Sequence, residues 1–237
     1  MATFVLIHGG GHGGWCWERA APLIHRAGHH TVAPDLPMDD VEAGVREWAD
    51  VICSATSGET DVILVGHSMA GLALPVVASM RPVLRMVFVA ATVPLPGMSW
   101  TDYIDTQAGP VVTMNPEAVV YDSLGRSVMS KQTATEVFYH DCPPGIASAA
   151  CERLRPIAFT SWTELCPINE WPNGVPSSVI LGAHDRVLAP TWIRAVARDR
   201  LHTMPVELPT GHSPFYAAPQ AFVDALLALT NGSTDQP

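Results

Sequence analysis

A chain of 237 residues, 48% hydrophobic and 15% charged, has enough interior for one α/β domain, is too short for a second full one, and is too apolar to be disordered. Its net charge of −10 would repel nucleic acid and anionic membrane alike, so a small uncharged molecule suits it better as a partner. No run of 18 apolar residues occurs, and the opening T-F-V-L-I-H-G-G-G is too short for a signal peptide and lacks its basic flank; a cytoplasmic location is expected.

In chain order, T-F-V-L-I at 3–7 reads as a buried strand, followed by the glycine-rich H-G-G-G-H-G-G at 8–14 and a helix over 15–28. Strands at 30–36, 61–65 and 85–91 alternate with helices at 39–56 and 69–80. Residues 93–173 break that rhythm. They are rich in Pro, Trp and Met, contain no clear strand, and read as an insertion that roofs a pocket. The alternation resumes with strands at 177–183 and 204–208 and helices at 190–200 and 216–230, and the tail N-G-S-T-D-Q-P, without an apolar anchor, is expected to fray. Strand followed by helix, repeated, predicts a mostly parallel sheet with helices on both faces. The whole chain, 1–237, is expected to form a single domain with a cap at about 93–173. Cys16, Cys53, Cys142, Cys151 and Cys166 are odd in number, contain no C-x-x-C pair and lack metal-like spacing, so they read as free thiols, with no metal site.

The most informative stretch is D-V-I-L-V-G-H-S-M-A-G at 61–71, where a buried strand stops on a serine between small residues. Gly66 and Ala70, two residues either side of Ser68, suit a sharp strand-to-helix turn that exposes the hydroxyl, and Gly71 lets the next helix approach the sheet. A serine needs a base, and the base needs an orienting group. Asp185 lies just past the strand at 177–183, and His212 lies in the loop after the last strand. The order Ser, Asp, His, all on carboxyl-end loops, is the one that hydrolases of this sheet type use. Asp35, which also ends a strand, would need another chain order, and His8 and His67 read as structural hydrogen-bonding residues. His184, with no second ligand at helical spacing, is not read as a metal site.

Acyl transfer also needs donors for an oxyanion. The glycine run allows the Gly10 N–H to face the serine, and the N–H of Met69, at the start of the following helix, supplies the second. Neither phosphate-binding pattern, G-x-G-x-x-G or the P-loop, is completed in that run, so no nucleotide cofactor is expected. Met69, Trp100, Tyr103, Met114, Met129, Phe138, Phe159, Trp162 and Phe215 are candidates to line an apolar pocket, with Gly9 and His12 as further candidate substrate contacts.

These residues resemble those of the α/β-hydrolase superfamily, and more narrowly its small enzymes grouped with plant methylesterases and hydroxynitrile lyases. V-L-I-H-G-G-G-H-G-G-W-C-W-E at 5–18 resembles that group's opening H-G-x-x-H-G-x-W-x-W, while G-H-S-M-A-G and G-H-S-P-F resemble its nucleophile and histidine loops. The likeness spans roughly 3–92 and 175–230. It implies Ser68 as nucleophile, His212 as base, Asp185 as orienting acid, the amides of Gly10 and Met69 as oxyanion hole, no metal or organic cofactor, and a homodimer. In the lyases a threonine follows the first histidine and a lysine follows the catalytic one; Gly9 and Ser213 stand there instead, so the esterase-like branch is expected. The reading is a serine hydrolase that cleaves a carboxylic ester of a small apolar or aromatic molecule. The alternative is a non-hydrolytic use of the fold, as a lyase, a cofactor-independent oxygenase or a ligand receptor.

Overall fold

The computed structural model describes residues 1–231; the tail expected to fray lies, after Asn231, outside the described residues. In chain order the elements before the insertion are β1 (Thr3–Ile7), α1 (Ala21–Arg26), β2 (His30–Val32), α2 (Val45–Ala55), β3 (Val62–His67), α3 (Leu74–Met80) and β4 (Arg85–Val89). The insertion holds α4 (Trp100–Asp105), the two-residue strands β5 (Val120–Tyr121) and β6 (Ser127–Val128), α5 (Lys131–Phe138), α6 (Pro144–Cys151) and α7 (Thr160–Thr163). Then follow β7 (Ser177–Gly182), α8 (Pro190–Asp199), β8 (Val206–Leu208), α9 (Pro214–Ala217) and α10 (Pro219–Asn231).

Six strands form one parallel sheet in the order β2-β1-β3-β4-β7-β8. The unbroken apolar runs follow from burial on both faces: Val5 and Ile7 join the core under α2, α3 and α8, whereas Phe4 and Leu6 join the one that holds Trp17 and Phe222. With all strands parallel, the loops after β1, β3, β7 and β8 emerge at one edge, which is where open α/β sheets bind ligands.

Prolines shorten several expected elements. The strand expected over 30–36 ends at Val32, before Pro34, and the one expected over 204–208 starts at Val206, after Pro205. The helix expected over 15–28 is a 3-10 turn, Gly14–Trp17, followed by α1 with Pro22 in its first turn. The one over 69–80 is likewise a 3-10 turn, Ser68–Leu72, followed by α3 with Pro75 in its first turn, and 216–230 divides at Pro219 into α9 and α10. The helix expected over 39–56 begins only at Val45, where Glu47 accepts the N–H of Gly44 at 2.8 Å and Glu164 from the insertion accepts that of Val45 at 2.5 Å.

The insertion was expected to lack a strand; it contains the short β5–β6 hairpin, closed by Asp122, whose carboxylate accepts the N–H groups of Leu124 (2.9 Å) and Arg126 (3.0 Å). All five cysteines are free thiols. Among the described residues no helix is long and apolar enough to cross a membrane.

Candidate active site

Ser68 follows β3 directly, with φ at +52°, in the left-handed region that side chains other than glycine rarely occupy. Small neighbours permit the turn. A Cβ on Gly66 would lie 2.8 Å from Cδ2 of Leu74, and one on Gly71 would run into the carbonyl oxygen of Thr92. Thr92, just past β4, donates both its N–H (3.1 Å) and its hydroxyl (3.1 Å) to the carbonyl of Ser68, fixing the turn from the neighbouring strand. No local motif at 61–71 announces that threonine.

Asp185, in the turn after β7, accepts N–H groups from Val187 (2.7 Å) and Leu188 (3.1 Å) on Oδ1 and faces Nδ1 of His212 at 2.8 Å with Oδ2. Both side chains are inaccessible to solvent. Since the carboxylate only accepts there, Nδ1 carries the hydrogen and Nε2 is left as the acceptor. That Nε2 is buried without a hydrogen-bond partner. The imidazole packs between His67 (ring centroids 4.7 Å apart) and Phe138 (5.7 Å, stacked). His67 donates its Nε2–H to the carbonyl of His212 at 3.0 Å, and burial holds its pKa well below the usual range, so it stays neutral. Asp35, instead of joining His212, accepts the N–H of Gly14 at 2.7 Å.

The glycine-rich loop is held from beneath by His8, whose Nε2 accepts the N–H of Leu36 at 2.8 Å and whose Nδ1–H donates to the carbonyl of Gly9 at 2.9 Å. Burial pushes the pKa of His8 down to about 4 and that of His12 down to about 3. Gly9 packs so closely on the serine turn that a Cβ there would lie 2.8 Å from Cβ of Ser68 and 3.1 Å from the carbonyl oxygen of His67.

Next to Ser68 opens a small pocket, walled by Gly10, Met69, Trp100, Met114, Met129, Phe138, Phe159 and Trp162 among others. Val112, Val119 and Ile157, which carry no sequence signal of their own, complete its apolar wall, and it contains no charged side chain. Four expected contacts lie outside this wall, and the first of them, Gly9, is the glycine packed on the serine turn. Phe215 is fully buried against Trp17, His67 and Phe222 in the core, because the turn after His212 directs it under the sheet edge. Tyr103 turns towards Trp192, whose indole N–H donates to its hydroxyl at 3.2 Å. His12 stands behind the loop with both ring nitrogens occupied, by the carbonyl of Gly10 (2.9 Å) and the hydroxyl of Tyr139 (2.7 Å).

A parallel sheet whose carboxyl edge gathers a strained serine, a carboxylate-bound histidine and a glycine-rich loop defines an α/β-hydrolase class of protein. The chain matches the alpha/beta hydrolase family over residues 4–225 and belongs to it. It is 25% identical over 252 aligned positions to methylesterase 2 of Arabidopsis thaliana, which covers 96% of this chain and 95% of that one. To a probable esterase, PIR7A, of Oryza sativa subsp. indica it is 36% identical over 107 residues, and that match spans 40% of each chain. Among solved structures it resembles a pyrethroid hydrolase from Sphingobium faniae (TM-score 0.84, 20% identity, 99% of both chains). Polyneuridine aldehyde esterase is also similar (TM-score 0.78, 20% identity, 97% of this chain and 99% of that one).

Proposed function

We propose that the protein is a serine hydrolase that cleaves a carboxylic ester of a small apolar or aromatic molecule through an acyl-enzyme. The observation that carries this reading is His212: its Nδ1–H is tied to a buried carboxylate and its Nε2 is buried with nothing to accept from, beside the turn that exposes Ser68. An imidazole in that state is a base waiting for a proton.

The Ser68 hydroxyl attacks the ester carbonyl and passes its proton to Nε2 of His212, and the imidazolium that forms is steadied by Asp185. The oxygen that gains charge is met by the N–H groups of Gly10 and Met69. His212 then returns the proton to the departing alcohol, and a water attacks the acyl-enzyme by the same route. The carboxylic acid leaves and Ser68 regains its proton. The likeness to proteins named as a probable esterase and a methylesterase and the uncharged wall around Ser68 both support an ester of this kind. An anionic substrate would lose its hydration in that pocket without an ion pair to offset the loss.

The test is turnover of a panel of p-nitrophenyl and methyl esters by the wild-type chain, Ser68→Ala and His212→Ala. Each variant should lose on the order of 10³-fold or more in kcat. Ester turnover that survives in Ser68→Ala would remove the acyl-enzyme mechanism.

A further inference from the structure

We propose that Tyr139 and Arg155, both supplied by the cap, are positioning residues that lock the backbone of residues 9–12 and thereby aim the Gly10 N–H at the oxyanion. The inference rests on the hydrolase reading above and assigns to the cap a second task beyond shaping the pocket.

Three of the four residues in this stretch are glycines, the residue type with the most backbone freedom to lose, and Gly11 has φ at +76°. Left to itself such a loop would not hold one N–H to the tolerance that oxyanion stabilisation demands. Every carbonyl in it is held. That of Gly9 accepts from Nδ1 of His8 (2.9 Å) and from the N–H of His12 (3.2 Å), which fixes the peptide plane that carries the Gly10 N–H. That of Gly10 accepts from Nδ1 of His12 at 2.9 Å. That of Gly11 accepts from the backbone N–H of Arg155 at 2.8 Å, and that of His12 from the Arg155 guanidinium at 2.8 and 3.2 Å. Arg155 is itself braced by the carbonyl of Leu36 (3.1 Å) and the carboxylate of Asp39 (3.2 Å).

Tyr139 decides the state of His12. The carbonyl of Gly10 only accepts, so Nδ1 of His12 must carry the hydrogen and Nε2 must accept, and the tyrosine hydroxyl 2.7 Å away is the donor. Burial keeps both neutral, lowering the imidazole pKa to about 3 and raising that of the phenol. Without the hydroxyl, Nε2 would be a buried acceptor with no partner, and the opposite tautomer would abandon the carbonyl of Gly10. The sheet thus holds the loop through His8, and the cap holds it through Tyr139 and Arg155.

Tyr139→Phe keeps the ring, which is fully buried, and removes only the donor; Arg155→Lys keeps the charge and removes the fork. Kinetics are measured well below each variant's melting temperature, with a trifluoromethyl ketone as a mimic of the tetrahedral oxyanion and the product alcohol as a ground-state ligand. For both variants kcat should fall about tenfold or more, given that loss of one oxyanion donor costs about 10²–10³-fold. KM and product affinity should stay within about twofold, and ketone affinity should weaken in parallel with kcat/KM, a pattern that lost stability alone would not produce. A folded Tyr139→Phe with unchanged kcat, or with only KM raised, overturns the inference; should Arg155→Lys not fold, Tyr139→Phe decides by itself. A wild-type chain inert on every ester overturns the hydrolase reading and this inference with it, whereas an active wild type beside an equally active Tyr139→Phe overturns this inference alone.

Discussion

Ser68 holds its left-handed φ of +52° at a cost of about 1–2 kcal/mol, which glycine would not incur. Ser68→Gly should therefore raise stability by about 1 kcal/mol, read as a shift of the urea midpoint, while abolishing ester turnover. A variant no more stable than wild type would mean that the turn is not strained. Gly9→Ala tests the other side of the same contact: its methyl would lie 2.8 Å from Cβ of Ser68 and 3.1 Å from backbone of His67, so the serine turn must shift and kcat should fall at least about tenfold with the fold retained. The positions of Ser68, Asp185 and His212 after the carboxyl ends of β3, β7 and β8 were legible, because strand ends are set by apolar runs that stop abruptly. Those of Phe215 and His12 were not. An apolar ring can face core or pocket equally well, and which it faces depends on turns that the local sequence does not specify. Thr92, Tyr139 and Arg155 were missed because their partners lie 24, 127 and 143 residues away, joined only by the tertiary fold.

Elements are governed by the same contrast between local and distant causes. The order of strands and helices follows from hydrophobic periodicity, while their ends follow from proline, which removes a ladder donor at Pro34 and opens helices at Pro22, Pro75 and Pro219. Inside the cap several elements are too short for periodicity to register: β5 and β6 have two residues each and α7 has four. The cap is tied down where one of its side chains caps a helix of the main sheet layer, Glu164 accepting the N–H of Val45 at the start of α2. Glu164→Ala should cost about 1 kcal/mol, as loss of an N-terminal cap does, and speed hydrogen exchange at residues 44–47 and 160–166. Exchange unchanged in both segments would show that this tie is idle.

For the whole molecule the parallel sheet and the edge at which its βα loops gather were legible, since six apolar runs separated by helical stretches admit few topologies. The three neutral histidines packed under that edge have a consequence for the entire fold. His8, His12 and His67 have folded pKa values of about 4, about 3 and well below the usual range, against about 6.5 when unfolded. Between roughly pH 6.5 and pH 4 the unfolded chain therefore binds protons that the folded one refuses, and stability falls as pH drops, by up to about 1.4 kcal/mol per unit for each histidine. The slope fades above pH 6.5 and is nearly gone by about pH 7.5. Urea midpoints should be level with respect to these groups above about pH 7.5 and decline steeply below about pH 6; a level profile down to pH 4.5 would contradict their burial as neutral rings. The central claim, that Ser68 is a nucleophile activated by His212, is tested most directly by mass spectrometry of the folded chain after reaction with a fluorophosphonate. One adduct is expected, on Ser68, formed in step with loss of ester turnover and strongly slowed in His212→Ala. Ester turnover that persists with Ser68 unlabelled would contradict it.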